Sequence, residues 1–423
     1  MLFRSVGEIM KKKEEIIEDE NIDNVKEIVT IQKEGFSYPE MVIIMIIAIL
    51  FGFLIGNVVS FSKKDGSSSS VPSDLKEFVA TYNDIVNNYY TSVNKEELID
   101  AGIKGMINYL DDPYATYFDG TNSTTFNQTL EGNYEGIGVE VTSDNNKVKV
   151  TKVFDDTPAK KAGIKVGDYI IKVNGESTEG KTLSEVVSSI KNAKSKDVEI
   201  TITRDNQEKV LKVTRTTVDM PYTSSKVYEQ NGKKIGYLKI EMFSNNIGKQ
   251  VKKELTSLEK QKIDKLVIDV RDNPGGYLTQ VTDILSLFMT KKDVIYQLQT
   301  KDKKQKVYGI SSKATYKYPV TVIINENSAS ASEILASAFK ETYGAEVVGV
   351  NSYGKGTVQK TGDLNNGDTI KYTVQKWLTP KGTWINEKGV TPTKEVKLEL
   401  ADGKTLTEDN DTQLKAAIEL ASK

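Results

Sequence analysis

Residues Met41 to Ser62 carry no charged side chain and include the run MVIIMIIAILFGFLIG. Coiled into a helix at about 1.5 Å per residue, such a stretch crosses the roughly 30 Å hydrocarbon core of a bilayer. A buried helix of a soluble domain rarely runs this long without one charge. A cleaved signal peptide fits poorly too, because the run starts about forty residues in and no small-x-small pattern follows it. The sequence therefore predicts an uncleaved transmembrane anchor over 41–61, preceded by an acidic tail, 1–40. Charge does not orient it: the tail holds six Lys/Arg against ten Asp/Glu, and Lys63 and Lys64 follow the span directly.

Beyond the anchor the hydrophobic period divides the chain. KKDGSSSSVPS lies in a flexible Ser/Gly linker, 62–73. Over 74–130, LKEFVATYNDIVNNYY and NKEELIDAGIKGMINYL carry apolar residues at helical spacing, Leu98, Ile99, Ile103, Met106 and Ile107 among them, and stop at LDDPYATYFD. Over 131–216 the period changes to two. VKVTKVF, YIIKV and VEITITR read as strands, with KTLSEVVSSIKN as a helix between the last two. Over 217–400, strands such as KIGYLKIEMF, KLVIDV and VTVIIN alternate with helices such as YLTQVTDILSLFM and SEILASAFKETY. That alternation predicts a helix-covered, mostly parallel sheet. The end, 401–423, carries a short amphipathic helix, TQLKAAIELASK. The fold class expected is α/β multidomain: an anchor helix, a small helical segment, a β-rich domain and an α/β core.

Two zeros limit the chemistry, since the chain has no histidine and no cysteine. A Ser–His–Asp triad, a thiol nucleophile and a His-ligated zinc site are all excluded. A hydroxyl nucleophile here would need Lys, Asp or Glu as its base, and lysine serves when burial lowers its pKa. A net charge of −2 with both signs interspersed gives no reason to expect nucleic acid.

Four segments carry candidate chemistry. In NENSASASEIL a hydrophobic strand runs into small residues that open a helix, where a serine can meet the positive end of the helix. Ser330-Ala-Ser-Glu333 also reads as a capping box, so Ser330 can be only an N-cap, and composition does not choose among Ser328, Ser330 and Ser332. In SYGKGTVQ, Lys355 sits between two glycines, and the β-like continuation would project Lys355, Thr357 and Gln359 to one face. The bland alternative is a solvated turn lysine. Gly349 to Lys355 also spells a phosphate loop, but Gly356 stands where magnesium needs Ser or Thr, and a strand follows instead of a helix. KLVIDVRDNPGG ends in a turn with exposed N–H groups, either an ordinary strand end or half of an oxyanion hole shared with the N–H of Ala331. Finally, Gly136-Ile137-Gly138-Val139, followed by TPAKKAGIKVGDYIIKVNG, can take a peptide carboxylate on its backbone amides.

Together and in this order these segments resemble the C-terminal processing (tail-specific) proteases, Ser–Lys dyad serine peptidases with a PDZ domain. LDDPYATYF, YEGIGVEV, VIDVRDNPGGYL, NSASASEILASAF, YGKGTVQ and WLTPKGTWINEKGVTP carry the likeness, over roughly Leu75 to Lys423. The resemblance implies Ser330 as nucleophile, Lys355 as base and Gln359 in support. It implies a PDZ domain over 131–216 and a serine protease core over 217–400. The oxyanion donors would be Ala331 and Gly275 or Gly276, with Gly276 favoured by analogy. It further implies substrates with accessible protein C-termini, no cofactor or metal, a protease domain outside the cytoplasm, and a homodimer in some relatives. The competing expectation is a non-catalytic, membrane-tethered PDZ scaffold.

Overall fold

The structure, a computed structural model, describes residues 72–399 and 405–423. The predicted anchor 41–61, the acidic tail and most of the linker lie outside the described residues. Among those described, no helix is long and apolar enough to cross a membrane. The chain divides into two compact units, 1–94 and 95–423. The described part of the first holds a 3-10 turn, Ser73–Leu75, and helix α1, Lys76–Asn88, none of whose residues is buried.

The second unit opens with α2, Lys95–Tyr109, and β1, Thr116–Phe118. The sequence reading ends its helices there, yet α3 follows over Gly120–Glu131. Its Thr- and Asn-rich sequence is a weak helix former. The Asp119 carboxylate caps it by accepting from the Asn122 N–H, and Gly132, at φ +71°, ends it.

A β-rich module comes next. Its elements are β2 (Asn133–Gly136), β3 (Val139–Asp144), β4 (Lys147–Val153), α4 (Pro158–Ala162), β5 (Tyr169–Val173), β6 (Glu176–Ser177), α5 (Leu183–Lys191), β7 (Asp197–Arg204), β8 (Gln207–Thr214) and β9 (Thr216–Asp219). Every pairing in it is antiparallel. Alternation along β4, β5 and β7 turns Val150, Ile170, Ile200 and Ile202 inward, where Val186 of α5 meets them.

The remaining residues form β10 (Thr223–Gln230), β11 (Lys233–Ile240), α6 (Ile247–Lys260), β12 (Lys265–Asp269), α7 (Leu278–Leu285), β13 (Val294–Gln299), β14 (Lys304–Tyr308), β15 (Val320–Ile324), α8 (Ala331–Ala338), β16 (Glu346–Gly349), β17 (Thr357–Asp363), β18 (Thr369–Leu378), β19 (Lys394–Glu395) and α9 (Thr412–Ala421). One sheet runs β10-β11-β12-β15-β16-β19, parallel throughout except at β10/β11. The other, β1-β18-β13-β14 with β17 on β18, is wholly antiparallel. The expected mostly parallel sheet is thereby corrected, because antiparallel ladders prevail across the described residues. The reason lies in the connections. Residues 300–303 join β13 to β14 and residues 364–368 join β17 to β18, whereas a parallel pair needs a crossover of a dozen or more residues.

The parallel sheet is covered on both faces. On one, Leu255, Ile284, Ile334 and Phe339 pack with Leu266, Ile268 and Val322. On the other, α9 lays Leu414, Ala417, Ile418 and Ala421 on Ile235, Val267, Ile323 and Val348. A buried ionic cluster ties α9 to the strand end beside the site. The Arg271 guanidinium bonds both oxygens of Asp269 and both of Asp411 at 2.7–3.1 Å, and Asp411 also accepts from the Leu414 N–H at the start of α9.

Candidate active site

Three serines stand where β15 meets α8, and their surroundings separate them. Ser328 is fully buried and its hydroxyl donates to the Val270 carbonyl at 2.8 Å. Ser332 is fully buried and donates to the Asn273 carbonyl at 2.8 Å. Both fasten the helix entry to the turn after β12. Ser330 is half-buried, lies between them and faces a cavity of about 440 Å³. Its backbone is at φ +55° and ψ −113°, a conformation that costs of order 1–3 kcal/mol in a residue with a side chain. The two flanking serine bonds hold it there.

The capping box read from sequence is present with an added function. Glu333 reaches back to the Ser330 N–H at 2.7 Å. The Ser330 hydroxyl faces the helix start without making a cap hydrogen bond. Fully buried, the Glu333 carboxylate also accepts from the Ser352 hydroxyl (2.6 Å), the Gly354 N–H (2.7 Å) and the Lys355 N–H (2.9 Å). One side chain thus joins the serine turn to the lysine turn. Burial raises the Glu333 pKa, and these four donors oppose the rise. A capping box explains a glutamate at that spacing locally, so the sequence offered no signal for its other partners.

Both tryptophans of the chain hold the lysine segment. Trp377 Nε1 donates to the Lys355 carbonyl at 2.7 Å and Trp384 Nε1 to the Gly356 carbonyl at 2.9 Å. A side chain at Gly356 would stand 2.6 Å from the Trp384 nitrogen, so this position needs glycine for close approach. The Lys355 side chain lines the same cavity as Ser330. Its amine rests 4.7 Å from the Tyr114 ring centroid and makes no hydrogen bond to Ser330 among the described residues. Burial first, then the nearby Lys371 charge, lower its pKa to about 8, while Asp112 and Glu333 pull the other way. A buried amine of that pKa is neutral in a useful fraction of molecules near neutral pH.

Gln359 lines the cavity too, but its amide donates to the Thr357 and Thr373 hydroxyls, at 2.9 and 3.1 Å, rather than approaching the lysine. A register shift between Val358 and Gln359 interrupts the expected alternation, so Thr357, Val358 and Gln359 all reach the cavity wall. Across from Ser330, the Gly275 N–H is taken by the Asn273 side chain at 2.9 Å. No acceptor is bonded to the Gly276 N–H or the Ala331 N–H among the described residues. Gly275, at φ +103°, passes so close that a Cβ on it would lie 2.8 Å from Ser330 Cβ and 3.0 Å from the Ala331 nitrogen. Phe126, Leu130, Met242 and Leu278 supply the apolar wall.

Gly136, Ile137, Gly138 and Val139 lie apart from this cavity, where β2 passes into β3. The Ile137 and Gly138 carbonyls accept from Ala159 and Phe154 at 2.8 and 3.1 Å. The Tyr134 ring lies over Gly136, where a Cβ would come within 2.4 Å of it. Burial raises the pKa of the Tyr134 phenol, and the Gly138 N–H that it faces offsets part of the rise.

Comparison with known proteins agrees with this layout. Peptidase family S41 matches residues 234–396, the PDZ domain 124–203, and the activating protease CtpB N-terminal domain 56–122. Carboxy-terminal processing protease CtpB of Bacillus subtilis (strain 168) is 40% identical over 318 residues, 75% of this chain and 66% of that protein. Carboxy-terminal processing protease CtpA of the same organism is 35% identical over 351 residues, 83% of this chain and 74% of that protein. Among solved structures, the photosystem II D1 C-terminal processing protease aligns at a TM-score of 0.45 and 22% identity, covering 84% of this chain and 98% of that one. The chain belongs to the carboxy-terminal processing proteases, the serine-type peptidases of family S41.

Proposed function

We propose that the chain is a membrane-tethered endopeptidase that cleaves proteins recognised near their C-termini, with Ser330 as nucleophile and Lys355 as general base. One observation carries the reading. Of the three serines in the run, only Ser330 has a hydroxyl not engaged by a backbone carbonyl, and it shares its cavity with a buried lysine of pKa about 8. In the reaction, the neutral Lys355 amine swings from the Tyr114 ring to the serine and takes the Oγ proton as Oγ bonds the scissile carbonyl carbon. The N–H groups of Gly276 and Ala331 receive the oxyanion. The ammonium then returns its proton to the departing amine as the C–N bond breaks. A water, deprotonated by the same lysine, attacks the acyl carbon and frees Ser330. Gln359 acts from the cavity wall by orienting the substrate strand or the lysine. The loop Gly136–Val139 takes the substrate's terminal carboxylate once Tyr134 has moved aside. In this reading 74–130 is a helical domain, 131–216 the PDZ domain, 217–400 the protease core and 401–423 a C-terminal helix. Residues 41–61 anchor the chain, with the protease outside the cytoplasm.

Casein digestion by the full chain tests the chemistry. Ser330→Ala and Lys355→Ala should each abolish cleavage while leaving circular dichroism unchanged. Full activity in Lys355→Ala would remove the dyad, whereas no cleavage by the wild-type chain would leave a tethered peptide-binding module.

A further inference from the structure

The proposed reaction gives no part to Asp112, in the Asp-Asp-Pro-Tyr turn of residues 111–114, or to Lys371, yet both act on the amine that the reaction needs. Lys371 sits in β18 opposite Thr116 of β1 on one side and Thr361 of β17 on the other. Its side chain lines the cavity that Ser330 and Lys355 share. The Lys371 ammonium lies 5.3 Å from the centroids of both the Phe118 and the Phe126 ring, and those rings stack at 4.4 Å. Two aromatic faces steady a half-buried cation there. On the other side, Asp112 spends one oxygen on the Tyr114 N–H at 2.9 Å. Its second oxygen, Oδ2, is buried and bonds nothing among the described residues. Two residues on, the Tyr114 ring carries the Lys355 amine.

The titratable groups that face this amine are Asp112 and Tyr114 from the turn, Glu333 from α8 and Lys371 from β18. Tyr114 is neutral across the working range, since burial raises its pKa and the neighbouring Tyr353 adds to the rise. Glu333 already holds four donors. It acts on the base in the same direction as Asp112 but also holds the serine and lysine turns together. Lys371 and Asp112, of opposite sign, are then the two nearby charges that a substitution can remove without dismantling those turns.

We infer that Lys371 and Asp112 are positioning residues that act through Lys355: the Lys371 ammonium drives the proton off the base, and the Asp112 carboxylate holds it on. The inference rests on Lys355 being the base. It assigns a part to the LDDPYATYF segment, which places Asp112 and Tyr114 against the lysine and threads β1 alongside Lys371.

The test is the pH dependence of kcat/KM for a quenched fluorescent peptide, measured from pH 6 to 10 on the full chain. Wild type should show an activity rise centred near the Lys355 pKa of about 8. Lys371→Met should move that rise to higher pH by about one pH unit, which is roughly a tenfold loss at pH 7. Asp112→Asn, which keeps the oxygen that accepts from Tyr114, should move it to lower pH. Lys371→Arg, with its charge kept, should leave it in place. A structural role would lower the rate without opposite displacements. Should Lys371→Met fail to fold, Asp112→Asn alone still decides, because an unmoved or raised midpoint overturns the inference. Displacements of the same sign in the two variants also overturn it, with the dyad intact. By contrast, a wild-type profile without the rise, or an active Lys355→Ala, defeats the dyad reading itself.

Discussion

Suppose Lys355 is replaced by methionine in a Ser330→Ala background, where neither protein can cut itself. The side chain keeps its approximate length and loses its ammonium. In the parent, burial and then Lys371 bring the amine from its ordinary 10.5 to about 8. Below pH 8 the folded and unfolded chains both hold the proton, and the folded chain is destabilised by keeping it. The gap between 10.5 and about 8, at ~1.36 kcal/mol per pH unit, amounts to ~3 kcal/mol. Water at the cavity mouth screens part of this, leaving ~2–3 kcal/mol. Between pH 8 and 10.5 the folded chain releases a proton that the unfolded chain still binds, so stability rises with pH. Above 10.5 the difference is gone. Methionine carries no such dependence, so the variant should be the more stable protein at pH 7 and lose its advantage by pH 10.5. Urea unfolding followed by tryptophan fluorescence measures this. Both tryptophans are bonded to the carbonyls of Lys355 and Gly356, so the signal comes from the catalytic region and not the PDZ module. With a slope of ~2 kcal/mol per molar urea, the midpoint at pH 7 should rise by about 1 M. A variant no more stable than its parent at pH 7, or one whose advantage persists undiminished at pH 10.5, would refute the reasoning.

Two further substitutions probe the supports of the site. Gly275→Ala puts a methyl group 2.8 Å from both Ser330 Cβ and the Ala329 carbonyl on a backbone at φ +103°. It should cut kcat/KM by about 10²-fold or more, the loss typical of a disturbed oxyanion site, while a calorimetric scan still shows a folded core. Asp411→Ala strips the Arg271 guanidinium of two of its hydrogen bonds and removes the cap of α9. A loss of about 3 kcal/mol is expected in chemical unfolding, in the range for breaking a buried ion pair from one side.

The legible part of the fold was what a single segment decides. VTVIIN, KLVIDV and YIIKV are apolar or alternating runs of strand length, and each forms a strand. Pairing was legible only where a connection dictated it. The antiparallel sheet of β1, β13, β14, β17 and β18 joins Gln297 to Leu378 and Thr116 to Lys371, and no local pattern announces partners so far apart. Helix α3 escaped because propensity argues against it and a cap and tertiary packing decide it. At the site, sequence brought forward Ser330, Lys355 and Gln359, but only the family resemblance, and no local pattern, set Ser330 apart from Ser328 and Ser332. The physical difference lies in the Val270 and Asn273 carbonyls, which engage the outer two. Glu333 was visible only as a capping residue, since its bonds to Ser352, Gly354 and Lys355 cross from one strand–helix junction to the next. Lys371 carried no signal at all, as a lysine in an alternating strand reads as solvent-facing.

The proposed base, Lys355, is a group ordinarily protonated at neutral pH, and its surroundings lower its pKa at a cost in stability. Burial alone would drive the amine's pKa down, but a long side chain in an apolar wall could turn away to water instead. Three features oppose that escape. The backbone of the lysine segment is pinned by Trp377, Trp384 and Glu333, so the side chain must start from one place. The Tyr114 ring gives the amine a resting position inside the cavity. The same Glu333 that pins the lysine turn also binds the Ser330 N–H, so the proposed nucleophile and base are referred to one buried carboxylate instead of to two independent loops. A displacement of either turn is thereby shared by the other. Ser330 and Lys355, which line one cavity and make no hydrogen bond to each other among the described residues, are in this way held to a common support.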